Sequence, residues 1–258
     1  MGAVLDLTLF PLVILAGLAC GFVNTLAGSG SLITLPLLIF LGLPANVANG
    51  TNRVAILFQN MVAVRSFHAQ KVLDFKRGKW LLVPAIIGAV LGAQIAADLD
   101  ERMMRLAIAV IMVIMLVVIL VNPKRWLEDT TSKLGSRVGF VEIVAMFGVG
   151  VYGGFIQAGV GIFLLAVLVL VSGYDLVRGN ALKVLVVLGF TPLALVVFVL
   201  NDQVVWSIGL TMALGNMAGA WLGARAAAKG GASFVRMVLI GVIIVSSLKL
   251  FYDVFAGS

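Results

Sequence analysis

Histidine and cysteine are almost missing from this sequence of 258 residues, which has one of each and only 11 acidic residues. A lone cysteine, Cys20, excludes an intrachain disulfide and any multi-cysteine metal site. His68 sits beside a basic loop without the neighbours a metal cluster needs, so an interfacial position is expected for it. Charge is scarce as well. Charged residues make up 11% of the chain, against about 25% in a soluble domain, too few to coat a surface facing water. No P-loop appears, which argues against a built-in ATPase. The run GVGVYG (Gly148–Gly153) has the form of a dinucleotide fingerprint but lacks the preceding strand. No cofactor is expected.

What the chain does have is hydrocarbon. It is 62% hydrophobic, its mean hydropathy is +1.18, and several apolar runs approach the ~20 residues that cross a bilayer. The runs are continuous rather than alternating. Lipid leaves backbone groups only helices or closed barrels, so helices are expected. The fold class that follows is all-α, a polytopic integral membrane protein of 8–10 transmembrane helices. The first residues carry no basic cluster and read as a membrane segment rather than a cleaved signal peptide. The net charge of +7 lies mostly in short loops, where it sets orientation and meets anionic headgroups. Membrane lipids are therefore expected partners, and nucleic acid is not.

Apolar segments fall near 7–26, 31–45, 53–67, 80–97 and 103–121, then 138–158, 159–172, 181–200, 204–225 and 234–255. A first repeat over 1–121, a polar linker over 122–139 and a second repeat over 140–258 describe this pattern. One offset of 131 residues relates the halves. It carries Gly28 and Gly30 onto Gly159 and Gly161, Gly42 onto Gly173, Asn49 onto Asn180, Phe67 onto Phe198, GAVLGA (Gly88–Ala93) onto GAWLGA (Gly219–Ala224), and Arg105 onto Arg236. The loop after the third segment is basic in the first half and carries Asp202 in the second. The loop after the fourth is acidic (Asp98, Asp100, Glu101) and then basic (Arg225, Lys229). By the positive-inside rule the two repeats are predicted to be inverted, an organisation common in secondary transporters.

Two stretches carry most of the polar residues inside the apolar pattern. NTLAGSGSLITLP (Asn24–Pro36) and its counterpart Gln157–Phe163 place Gly-x-Gly at the same point of both halves. Paired helix breaks near the midplane are expected there, with glycine allowing non-helical backbone and Ser29, Ser31 and Thr34 replacing lost hydrogen bonds. Close helix packing is the competing reading. In the second cluster, ANGTNRV (Ala48–Val54) aligns with GNALKV (Gly179–Val184). Asn49 or Thr51 is a candidate cap for the third helix. Arg53 and Lys183 fall in first turns, where helix N-termini attract anions. A two-part anion clamp and two cations reaching for headgroups are both open from chemistry alone. Gln59, Asn60, Gln94, Gln157 and Asn216 are further polar groups within apolar segments, and Glu142, near a segment start, is expected at the interface.

Gly21–Val54 resembles the first-repeat signature of the TauE/SafE family of sulfite and organosulfonate exporters: a Gly-rich break, a proline, then Asn-Gly-Thr. GGFIQAGVGIFLLAVLVL with GNALK is similar to its weaker second signature. Ala-Gly-Ser-Gly stands where the commonest pattern has three glycines. The resemblance implies export of sulfite or a sulfonate such as sulfoacetate across a bacterial inner membrane. It also implies that Gly28, Gly30, Asn49, Thr51, Asn52 and Arg53 form one half of a site and Gly159, Gly161, Asn180 and Lys183 the other. With Asn24, Ser29, Ser31 and Gln157 from the breaks, these are the candidate substrate-binding residues. A small anion is the expected cargo. A coupling proton or sodium ion and a homodimer stay open, as do an anion channel and, ranked low, an intramembrane lipid-modifying enzyme.

Overall fold

Hydrophobic runs punctuated by glycine and proline fold here into helices alone. The computed structural model describes residues 10–121 and 138–229, and every regular element among them is helical. The linker 122–139 up to residue 137, Arg236 and the segment 234–255 lie outside the described residues.

The order is α1 (Phe10–Ala27), α2 (Ser31–Phe40), α3 (Ala45–Ala69), α4 (Phe75–Asp98), α5 (Glu101–Val121), α6 (Phe140–Phe155), α7 (Val160–Ala166), α8 (Leu176–Leu200) and α9 (206–229). A wide π turn, Val167–Val171, prolongs α7. Among the described residues α1, α4 and α8 are long and apolar enough to cross a membrane. Helix α3 has 25 residues, as α8 does, but carries Arg53 and several amides. It also starts well before the expected apolar run, because Pro44 ends the preceding turn and pre-sets the entry to the helix. Asn49 and Thr51 are thus inside α3 and cap nothing at its start, contrary to expectation.

Helix bounds recur along the chain. Those of α3 and α8 are 131 residues apart, as are the first residues of α4 and α9. So are the left-handed residues: Gly28 and Gly159, Gly42 and Gly173, and the non-glycine pair Lys71 and Asp202.

Three contacts organise the helices. Helix α4 runs parallel to α6, with Gly88 and Gly92 against the backbone of Phe147 and Val151 and with Gly150 and Gly154 against Ala85 and Ala89. In the same way α1 runs parallel to α9, where Gly215 and Gly219 meet Ile14 and Leu18. Small residues let membrane helices approach backbone to backbone, where dispersion and weak polar contacts replace the missing hydrophobic drive. Between these seams α3 and α8 run antiparallel. Ala45 clusters with Ala194 and Phe198 near one end, and Phe67 with Leu176 and Ala181 near the other.

The α4–α6 seam yields a clean pair of substitutions. A Cβ on Gly154 would sit 1.9 Å from the carbonyl oxygen of Ala89, whereas one on Gly148 of the same helix meets nothing within 4 Å. Gly154→Ala is expected to lower the melting temperature in detergent by several degrees. Gly148→Ala should hold or raise it, since alanine gains about 1 kcal/mol of helix propensity over glycine.

Glu142 is buried at the start of α6. It accepts from Arg77 at 2.6 Å and from the Gly139 N–H at 2.6 Å, tying α6 to the start of α4. Asp74 caps α4 through the N–H groups of Lys76 and Arg77 and accepts from the Tyr174 hydroxyl at 3.1 Å. Burial, with the Asp74 carboxylate adding, holds the Tyr174 phenol above its ordinary pKa, so it stays a donor. His68 is exposed at the same end, edge-on to Phe75 at 5.3 Å.

Candidate functional site

Helix α1 stops at Ala27 because Gly28 turns to φ 75°, a left-handed conformation that costs a residue with a side chain about 1–2 kcal/mol. The chain restarts as α2 at Ser31. Helix α6 stops at Phe155, Ile156 is extended, Gly159 takes φ 72°, and α7 begins at Val160. Both breaks therefore form where the Gly-x-Gly pairs fall.

The two breaks touch. The Gly161 N–H donates to the Gly28 carbonyl at 3.2 Å. A Cβ on Gly28 would lie 2.2 Å from the Gly161 Cα, and one on Gly161 would lie 2.3 Å from the Gly28 Cα. Ile56 and Val187, near the middles of α3 and α8, flank the contact. With Asn24, Asn60, Gln157 and Lys183 they line a cavity of about 10 Å³. That is at the threshold for a single water molecule, so nothing larger fits without movement.

Both cations lie inside the protein, with Arg53 0% and Lys183 1% exposed, and neither reaches a headgroup. Arg53 donates to the carbonyls of Gly153 at 3.1 Å and of Gly154 and Phe155, the last turn of α6, with its guanidinium carbon 4.6 Å from the Phe198 ring centre. Lys183 donates to the carbonyls of Asn24 and Thr25 at 3.1 and 3.0 Å, the last turn of α1, and to Asn180 Oδ1. Each cation thus bonds carbonyls in the last turn of the broken helix in the opposite half, of which the Asn24 carbonyl also accepts from the Gly28 N–H at 2.8 Å. The sequence suggests cations beside helix N-termini; the structure puts their heads on helix C-termini.

Among the described residues no carboxylate pairs with either cation; the ion pairs there join Arg77 to Glu142, Arg105 to Glu101 and Arg178 to Asp175. A helix C-terminus supplies about half a negative charge, so two such ends offset about one of the two positive charges.

The surroundings of the two breaks differ. At the first, Thr34 donates to Asn52 at 2.8 Å, Asn52 to Ser31 at 3.2 Å, and Asn24 and Asn216 both to Gln59 at 3.3 and 3.2 Å. The Cys20 sulfur is 3.8 Å from the Thr34 hydroxyl. The positions 131 along from Ser31, Thr34, Asn24 and Gln59 hold Ile162, Leu165, Phe155 and Phe190. At the second break the polar contacts are Arg53, Asn49 donating to the Phe155 carbonyl at 2.8 Å, Gln157 donating to Thr191 at 3.0 Å, and the Tyr152 hydroxyl donating to the Ala158 carbonyl. Several buried atoms have no partner among the described residues: Ser29 Oγ, Asn49 Oδ1, Arg53 Nε, Gln157 Oε1, Asn180 Nδ2 and Asn216 Oδ1.

Of the residues singled out in the sequence, Asn24, Gly28, Ser29, Gly30, Ser31, Asn52, Asn180 and Lys183 gather at the first break. Arg53, Asn49, Gln157, Gly159 and Gly161 gather at the second. Thr51 lies apart, accepting from the Val205 N–H at 2.9 Å where α9 begins. Gln94 is exposed and donates to Asp98. Cys20 and Thr191 escaped the sequence reading, since a lone small polar residue in an apolar run carries no signal of its own.

A probable membrane transporter protein of Haemophilus influenzae is 26% identical over 251 residues, 96% of this chain and 97% of its own length. Another from Sinorhizobium, ORF9, is 26% identical over 245 residues, covering 95% and 93%. YfcA of Escherichia coli K12, also a probable membrane transporter protein, is 27% identical over 234 residues, covering 90% and 86%. No solved structure matches. The family model described as sulfite exporter TauE/SafE matches residues 13–250, nearly the whole length, and the chain belongs to that family.

Proposed function

We propose that the protein is a secondary transporter that exports a small sulfur-containing anion, sulfite or an organosulfonate, across a bacterial inner membrane by alternating access. The observation that carries this reading is the meeting of two helix breaks beside Arg53 and Lys183, two buried cations without a carboxylate. An anion at the breaks completes the charge balance and finds donors in the unpaired Asn180 Nδ2 and Arg53 Nε groups and the Ser29 hydroxyl. The reading includes two inverted repeats meeting at the midplane. The recurrence of helix bounds and left-handed residues at one offset supports it, as does the antiparallel course of α3 and α8. The closed central cavity of about 10 Å³ favours a carrier over a channel, because cargo enters only after one side opens. A monoanion leaving a cell at about −100 mV gains roughly 2.3 kcal/mol, enough to drive export without a coupled ion.

The test is efflux from proteoliposomes loaded with labelled sulfite or sulfoacetate. Saturable flux, accelerated by unlabelled cargo on the far side, is the expected result; linear flux without exchange refutes the carrier. Cys20 supplies a second readout. It is 0% exposed and lies on α1 beside the first break. A membrane-permeant maleimide is expected to label it slowly in the resting protein and at a different rate when saturating cargo is added. Identical rates under both conditions speak against movement at this break.

A further inference from the structure

A second basic site lies where the last turns of α3 meet residues 221–229 of α9. A cavity of about 560 Å³ is lined there by Arg65, Ser66, Gln70, Trp221, Arg225 and Lys229. Gln70 bridges the two helices, donating to the Ser66 carbonyl at 2.9 Å and to the Ala224 carbonyl at 3.5 Å. The Arg225 guanidinium carbon stacks 3.9 Å from the Trp221 ring centre, which fixes the fork over an aromatic face. Positions 221, 225 and 229 are one turn apart each and share one side of α9. Arg65, Arg225 and Lys229 are exposed, and no ion pair among the described residues involves them.

We infer that this cavity binds the phosphate of an anionic phospholipid headgroup. Three cations around one space repel each other unless an anion joins them. The fold does not require them: the positions 131 residues away hold Val196, Gln94 and Asp98. The same end of the molecule carries Lys71 of the α3–α4 connection and Lys76, Arg77 and Lys79 of the first turns of α4, the charge pattern of a cytoplasmic face. A lipid fits better than a free phosphate because apolar residues continue from the cavity toward the membrane interior. Met61 and Leu222 are 51% and 44% exposed and offer a track for an acyl chain. Trp221 has the amphipathic ring favoured at headgroup depth. Basic pockets between membrane helices suit phosphate headgroups. The inference is independent of the cargo and of transport.

Native mass spectrometry of the purified full-length protein tests it, with phosphatidylglycerol and phosphatidylcholine of equal chain length as probes. Phosphatidylglycerol is expected to bind at concentrations where phosphatidylcholine does not. Arg65→Gln/Arg225→Gln/Lys229→Gln should weaken it about 100-fold, roughly fivefold per cation, while Lys229→Arg keeps it. The side chains are exposed, so the triple variant should melt with the wild type in phosphatidylcholine micelles. Equal phosphatidylglycerol affinity in the wild type and triple variant overturns the site. Displacement of phosphatidylglycerol by micromolar inorganic phosphate overturns the lipid and leaves a soluble anion as the ligand.

Discussion

Lys183→Met is expected to reduce anion flux per reconstituted molecule by 100-fold or more, with a partly offset loss of thermal stability. The two outcomes separate because the energetic terms act differently on each. Removing the ammonium takes a donor from the Asn24 and Thr25 carbonyls and from Asn180 Oδ1, of which Asn24 keeps the Gly28 N–H at 2.8 Å. A hydrogen bond to a charged group is worth about 1.5–3 kcal/mol. Against that loss stands relief of the cost of placing a cation at membrane depth, about 2.5–3.5 kcal/mol on insertion scales. Three such bonds are lost for one charge relieved, so the relief offsets only part of the loss in folding. No such offset operates in binding an anion, where the positive charge itself is the missing quantity. Arg53→Met is expected to act in the same direction through the Gly153–Phe155 turn. Flux in proteoliposomes, normalised to protein that elutes as a single species, is the readout. Near-normal flux in both variants leaves the cations as helix caps and nothing more.

Substitution at the contact of the breaks has the second large effect, and it is steric. Gly28→Ala drives a methyl group to 2.2 Å from the Gly161 Cα. The obstacle is backbone from the opposite break, so no side-chain rotation relieves it. The variant is expected either to fail to accumulate in the membrane or to melt at least 10 °C below wild type. Gly42→Ala separates sterics from backbone strain. Gly42 is also left-handed, with φ 89°, yet a Cβ there meets nothing within 4 Å. It should lose only the left-handed penalty of about 1–2 kcal/mol. Circular dichroism melts of both variants in one detergent give the comparison. A Gly28→Ala protein as stable as Gly42→Ala means the breaks do not meet as described.

Much of this molecule is legible in the chain. A run of apolar residues without charge has few ways to satisfy its backbone in lipid, so helices follow from composition. Gly28 and Gly159 stop helices because a left-handed residue ends the α-helical ladder, a local event that needs no tertiary contact. The repeated bounds of α3 and α8 follow from the same local rules acting on similar segments. Pro44 is the instructive exception. Polarity in Ala48–Val54 suggests a helix capped by Asn49 or Thr51, yet the helix already starts at Ala45 after Pro44, and the neighbouring helices bury and bond those polar groups.

What the chain by itself determined is helical class, the places where helices break, and the presence of two cations near those breaks. Tertiary structure alone decided what the cations do. A charged side chain on a helix can reach a headgroup, an N-terminus or a carbonyl with nearly equal local energy. The choice depends on which helix end is brought to it from more than 100 residues away, as with Arg53 and α6 or Lys183 and α1. The chain spells out the donors. Their acceptors exist only once helices remote in sequence have packed, because an orphan carbonyl has no identity until a fold puts a partner within reach.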